Sequence, residues 1–205
     1  MKLKSSAGPD GINPQIVKLC VDVIVSPLTH ILNSSLQTGQ FLTPWKLPRI
    51  VPVFKKGSRE ECINYRPISC LNILAKVLET VAKIQISNFF EEHCLFAKSQ
   101  HGFRSKRSTT SALIDLHTNW TEAIDKGKTA GVLSFDLSSA FDCLKTDIMC
   151  NKLRIYGFNE ESISWIRSYL TERSQYVKIG NDISHIRLVK IGAPQGSVLS
   201  PVLFI

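Results

Sequence analysis

The chain has no apolar run that approaches membrane-spanning length, and its opening, Met1-Lys-Leu-Lys-Ser-Ser-Ala-Gly-Pro-Asp-Gly11, lacks the apolar centre of a signal peptide. Secretion and membrane insertion are therefore not expected; an intracellular place, nucleus or cytoplasm, is. No C-x-x-C pair occurs, and none of the six cysteines (Cys20, Cys62, Cys70, Cys94, Cys143, Cys150) has a histidine nearby at zinc-ligand spacing. They read as reduced, mostly buried thiols. Internal repeats and low-complexity tracts are also missing, which sets aside repeat arrays and disordered linkers. Acids are the scarcer charge, 17 Asp plus Glu against 25 Lys plus Arg, and the net +8 suits a polyanion such as nucleic acid. Charge alone fits a merely basic soluble protein equally well.

What is present is enough for a core: 205 residues at 43% hydrophobic content form one large domain or two small ones. Ser5 to Gly11 is rich in turn formers. Helical spacing runs through Ile16, Leu19, Val23 and Ile24 and again, after Pro27, through Leu28, Ile31, Leu32 and Leu36, predicting two short helices. Leu47 to Phe54 reads as a strand entering the charged turn Lys55-Lys56-Gly57-Ser58-Arg59. Helices are predicted over Asn72 to Phe90, from the Ser108 to Ser111 cluster past Trp120, over Asp147 to Tyr156 with Gly157 as its stop, and over Glu160 to Leu170. Tyr176 to Ile179 and Ile186 to Ile191 flank Gly180-Asn181-Asp182 as a hairpin. The order is that of an α+β protein.

Two segments carry chemistry. Gly131-Val-Leu-Ser-Phe-Asp136 reads as an apolar strand that delivers Asp136 at its end, and Gly192-Ala-Pro-Gln-Gly-Ser-Val-Leu-Ser-Pro-Val-Leu-Phe204 as a Gly/Pro loop opening an apolar helix. A carboxylate on a strand end is a rigid mount for a hard cation, and the Leu137 carbonyl offers a second hard oxygen. Metal-assisted nucleotidyl transfer needs such ligands, holding two ions about 3.5–4 Å apart. The plainer reading makes Asp136 the cap of a helix through Ser138-Ser139-Ala140.

The two segments resemble motifs A and B of a reverse transcriptase palm, and further blocks in order resemble the reverse transcriptases of non-LTR, LINE-like retrotransposons. Ser5-Ser-Ala-Gly-Pro-Asp-Gly-Ile12 is similar to the N-terminal extension block. Pro44-Trp45-Lys46 through Ile50-Val-Pro-Val-Phe-Lys-Lys-Gly57 and Asn64-Tyr-Arg-Pro-Ile-Ser69 resemble two fingers blocks, and Gln100-His-Gly-Phe-Arg104 with Ser108-Thr109 the block preceding the palm. The resemblance implies a right-hand polymerase, with the N-terminal extension and fingers over 1–125 and a partial palm over 126–205. It implies an RNA-directed DNA polymerase that extends a primer 3′-hydroxyl with dNTPs on an RNA template, with Mg²⁺ or Mn²⁺ and with a DNA primer or target DNA as partner.

By that resemblance Asp136 and the Leu137 carbonyl bind metal, Lys55 or Lys56 with Arg66 holds the triphosphate, Phe141 is the steric gate under the sugar, and Gln195 with Gly196 meets the incoming nucleotide. Arg104, Lys106 and Arg107 approach the template. From the residues alone, surface lysines, a structural Arg66, a core Phe141 and a simple helix-entry turn with Ser197 as N-cap stay open, and Asp142 reads either as an acid that supports the metal ligands from behind or, preferably, as a helix-surface acid. Ser139 and Cys143-Leu144 depart from the commoner family residues without removing a group the chemistry requires. After Ile205 there is no Tyr/Phe-x-Asp-Asp hairpin and no thumb. A single aspartate leaves a second ion without its anchor, so these residues are expected to be a fragment inactive by itself. A non-catalytic nucleic-acid-binding remnant is the alternative.

Overall fold

A computed structural model describes residues 7–137 and 139–205. Strands β1 (Arg49–Phe54) and β2 (Tyr65–Cys70) form an antiparallel ladder from Arg49↔Cys70 to Phe54↔Tyr65. Strand β3 (Arg173–Ile179) lies parallel to β1 through Arg49↔Tyr176 and Ile50↔Val177. Strands β4 (Asp182–Ile183) and β5 (Arg187–Val189) fold back antiparallel onto β3, completing a five-stranded sheet. The β1–β3 contact joins the first half of the chain to the second, so the sheet crosses the expected division between 125 and 126.

The helices are α1 (Pro14–Leu19), α2 (Val21–Gln37), α3 (Ile73–Glu92), α4 (Thr109–Asp125), α5 (Thr146–Ile155), α6 (Glu160–Leu170) and α7 (Ser200–Phe204). Local chemistry explains several ends. The Asn159 side chain accepts from Ser162 N–H at the start of α6, and Ser108 and Ser111 bond reciprocally in a capping box at the start of α4. Gly157, at φ +90°, closes α5: its N–H donates to Arg154 O at 3.1 Å and Phe158 N–H to Leu153 O at 3.1 Å, a Schellman motif. The core lies where α6 presents Ile163, Trp165, Ile166 and Tyr169 to α3. Phe41 wedges its ring edge-on against Trp165 and Tyr169, with centroids 5.6 and 5.1 Å away.

Several expectations fail. The six cysteines are not mostly buried: Cys150 is buried and Cys70 half-buried, while Cys20, Cys62, Cys94 and Cys143 are exposed. The break near the first helices falls at Cys20, and α2 runs through Pro27. Pro27 and Val23, whose carbonyl loses its helical donor there, both face solvent, so water takes the orphaned oxygen and the buried Leu32–Ser35 side keeps the helix together. Nor is there a strand over 132–136. Among the described residues no strand pairs with this segment, and an unpaired apolar strand satisfies neither its backbone nor its side chains. Among the described residues no helix is long and apolar enough to cross a membrane.

Candidate active site

Segment 192–199 has no regular hydrogen-bonding pattern of its own, so its polar backbone is satisfied from outside. Gly192 N–H donates to Leu144 O at 3.0 Å and Ala193 N–H to Phe141 O at 2.9 Å, fastening the loop to the 3₁₀ turn Ala140–Cys143. Gly192 stands at φ +100°, and a Cβ there would lie 2.9 Å from Asp142 Cα. Only glycine allows that approach. Farther on, Ser69 N–H of β2 donates to Gln195 O at 2.8 Å, and Gly196, at φ +98°, brings the backbone against Ile68 and Ser69. Ser197 Oγ accepts from Ser200 N–H at 2.9 Å as the chain enters α7. Ser197 is not itself the N-cap, a position that Leu199 occupies without a side-chain cap bond.

The strand that receives Gln195 also carries Arg66. Arg66 is exposed opposite Val53, and Ser69 stands three residues farther along, a separation of about 10 Å on an extended strand. Lys55 and Lys56 are exposed in the turn between β1 and β2, where Lys55 N–H donates to Asn64 O at 2.8 Å and the Asn64 amide donates to Ser58 O at 2.9 Å. The structure thus brings Lys55, Lys56, Arg66, Gln195 and Gly196 onto one hairpin and its docked loop. A cavity of about 200 Å³ lies there, lined by Pro67, Ser69, Asp142, Gln175, Gly192 and Gln195 among others.

Asp136 and Leu137 sit apart from this arrangement, on the exposed segment that leads to Ser139. Phe135 is 83% exposed and Leu133 78%. Ser138 lies outside the described residues, and with it the expected cap by Asp136. Phe141 is half-buried and tilts against Phe204 of α7, ring centroids 5.4 Å apart. Asp142 is exposed, as its surface reading expects.

The expected template contacts divide. Arg104 spends its guanidinium internally, with Nε and one terminal nitrogen on the two Glu91 oxygens at 3.0 and 2.6 Å and the other on Ala97 O at 3.0 Å. It also stacks over Phe96, and its hydrogen bond and charge hold the Glu91 carboxyl below the ordinary glutamate range. Lys106 is exposed at φ +58°. Arg107 is exposed and lies 4.0 Å from Asp115.

A buried charged group went unnoticed in the sequence. Glu79 of α3 is fully buried, one carboxylate oxygen accepting from Tyr169 OH at 3.2 Å and the other from Val198 N–H at 2.7 Å. Burial pushes its carboxyl up, opposed by the Val198 N–H, the Arg173 charge and the Tyr169 hydroxyl. Arg173, also buried, donates to Tyr169 O at 2.9 Å and lies over the Tyr169 ring. The signal that would have found Glu79 is its place on the apolar stripe Ala75, Leu78, Ala82, Ile86 of α3, where a carboxylate needs buried partners.

Asp136 and the Leu137 carbonyl are solvent-accessible hard oxygens of the kind Mg²⁺ takes, so the donor chemistry fits that ion. Among the described residues no group of three or more His, Cys, Asp and Glu side chains is placed to hold a metal. The family model described as reverse transcriptase (RNA-dependent DNA polymerase) matches residues 53–205. The chain is 30% identical over its whole length to the probable RNA-directed DNA polymerase from transposon BS of Drosophila melanogaster, and 28% to the RNA-directed DNA polymerase from mobile element jockey of the same species. It is 26% identical, over 98% of its length, to the retrovirus-related Pol polyprotein from type-1 retrotransposable element R2 of Popillia japonica. It spans 22%, 22% and 27% of those three relatives. With a match that takes in the β1–β2 turn, Asp136 and the loop docked on β2, the chain belongs to the reverse transcriptase (RNA-dependent DNA polymerase) family.

Proposed function

We propose that these residues are the fingers and first part of the palm of a right-hand polymerase that copies RNA into DNA inside the cell, in the nucleus or cytoplasm, adding dNTPs to a primer 3′-hydroxyl or to nicked target DNA. The observation that carries the reading is the Ser69–Gln195 bond, because it ties the loop assigned to the nascent base pair to the strand assigned to the triphosphate. Arg66 gives the triphosphate a planar fork of donors, and Lys55 or Lys56 a point charge. Gly196 lets the backbone approach the incoming nucleotide while Gln195 presents its amide, and Phe141 closes the space beneath the sugar. Lys106 and Arg107 neutralise template phosphates, and Arg104 holds their turn in shape. Asp136 and the Leu137 carbonyl would hold Mg²⁺, or Mn²⁺ in its place, and the bound metal would supply positive charge toward the 3′-hydroxyl and the pyrophosphate.

Primer extension on an RNA template tests this. The 205 residues alone are compared with the same residues joined to the Asp-Asp hairpin and thumb of a family polymerase, each beside Asp136→Ala. Incorporation by the joined protein that disappears in Asp136→Ala is expected, with none from the 205 residues alone. Equal incorporation with and without Asp136 overturns the assignment. The second reading, a nucleic-acid-binding module without catalysis, draws on the lack of an acidic cluster among the described residues; it stands if both proteins bind RNA–DNA hybrid and neither incorporates.

A further inference from the structure

A loop that must hold a side chain at a fixed height over a strand needs anchors on both sides of it. Gln195 has one: its own carbonyl receives Ser69 N–H at 2.8 Å. On the near side the loop is fastened at Gly192 and Ala193, and on the far side, three residues on, Val198 N–H donates to Glu79 at 2.7 Å. We propose that Glu79 is the positioning residue of the Gln195–Gly196 turn, its carboxylate fixing Val198 from within the core so that Gln195 stays seated on β2. This rests on the polymerase reading for its purpose, though not for its geometry.

The geometry calls for a side chain that ends in two polar atoms, one of them an acceptor. One oxygen takes Val198 N–H and the other takes Tyr169 OH, so the group is held at two points and cannot swing. Arg173, whose charge acts on Glu79 from nearby, is itself held by Tyr169 O and lies over two rings, Tyr169 at 5.1 Å and Phe41 at 6.0 Å from the guanidinium carbon. A hydrocarbon at position 79 would continue the stripe of α3 but leave Val198 N–H without its acceptor and Arg173 without its counter-charge. Glu79 therefore links α3 and α6 to a loop whose tip lies on the sheet.

Amide hydrogen exchange of the 205-residue chain, resolved by residue, tests the proposal without any need for turnover. In Glu79→Leu, Val198 and Ser69 amides are expected to exchange about tenfold faster or more, since both bonds depend on the seated loop, while Leu153 and other α5 amides keep their rates. Glu79→Gln, which retains an acceptor for Val198, is expected to restore most of the protection at both positions. If Glu79→Leu does not fold, Tyr169→Phe replaces it; loosening one side of the carboxylate is expected to speed Val198 and Ser69 together by a smaller factor. Ser69 exchange that stays at its original rate while Val198 speeds up, in either variant, overturns the proposal, as does a Glu79→Gln profile no better than that of Glu79→Leu. Failure of the polymerase reading would appear in primer extension and leave these rates untouched.

Discussion

Segments 128–137 and 192–199 are both irregular and glycine-bearing, and both are assigned to one active site, yet one is pinned and the other lies open. The second takes hydrogen bonds from or gives them to Leu144, Phe141, Ser69 and Glu79, which belong to three separate parts of the chain: the 3₁₀ turn, β2 and α3. The first shows no backbone hydrogen bond between 129 and 137 among the described residues, and Val132, Leu133, Phe135 and Leu137 all face solvent. The difference is one of partners rather than composition. Irregular backbone becomes fixed when other elements supply its donors and acceptors, and an apolar strand becomes a strand only beside another.

The sharpest contrast is between stability and chemistry at Asp136. Asp136→Ala is expected to abolish primer extension by the joined protein, by roughly three orders of magnitude or more, since a metal-anchoring group is lost. The same substitution should leave the unfolding free energy of the 205-residue chain within about 0.5 kcal/mol, because the side chain is exposed. Steady-state incorporation and urea unfolding measure the two. A large loss of stability would mean that the segment is packed in solution and would break the comparison.

Next in size is a pair of glycines. Gly192→Ala meets both a left-handed φ of +100° and Asp142 Cα at 2.9 Å, so it should cost about 2–3 kcal/mol. Gly131→Ala meets nothing within 4 Å and should be neutral or stabilise by up to about 1 kcal/mol. Denaturant midpoints of the two variants check this; equal losses would erase the distinction between the docked loop and the open segment.

The same distinction governs what could be read from the sequence. Helices α3 to α6 fall where their spacing and capping residues predict, because their hydrogen bonds are local. The β1 strand is legible for the same reason, and so is the chain reversal at Gly180, but not the pairing expected there: Ile179 and Lys178 pair with Asp182 and Ile183, and Arg187–Val189 lies against Arg173–Gln175 instead of 176–179. The parallel pairing of β1 with β3 is not, since residues 49–50 and 176–177 meet only through the fold. Motif recognition supplied Gln195 and Gly196 without their anchors. Glu79, an acid on an apolar stripe, became meaningful only once Val198, Tyr169 and Arg173 surrounded it. Arg104 shows the reverse: a cation in a basic run whose use is set by Glu91, thirteen positions away in the chain.

Salt dependence distinguishes Arg104 from its neighbours. Binding of RNA–DNA hybrid should weaken linearly on a log–log plot against salt, and Lys106→Ala or Arg107→Ala should each reduce the slope by about 0.7–0.9, the contribution of one neutralised phosphate. Arg104→Ala should leave the slope unchanged while lowering stability, since its guanidinium is turned to Glu91 and Ala97. Fluorescence anisotropy over a salt series separates these outcomes. A slope change at Arg104 equal to that at Lys106 would return Arg104 to the template track.

The smallest effect expected is the pH dependence of the Arg104–Glu91 pair. Its hydrogen bonds to Arg104 place the folded Glu91 carboxyl below its unfolded value, which is about 4.3. The unfolded state therefore takes up the proton first as pH falls, and the stabilisation, complete above about pH 5, is lost as pH drops through 4.3 and on through the folded value. Glu91 is about a third exposed, so solvent screening keeps the gain to about 0.2–1 kcal/mol. Arg104→Ala and Glu91→Gln both remove this titration, and thermal unfolding should show their destabilisation at pH 7 shrinking toward zero by about pH 3. A destabilisation that persists unchanged at pH 3 would show that packing of Arg104 on Phe96, and not its charge, holds the turn that presents Lys106 and Arg107.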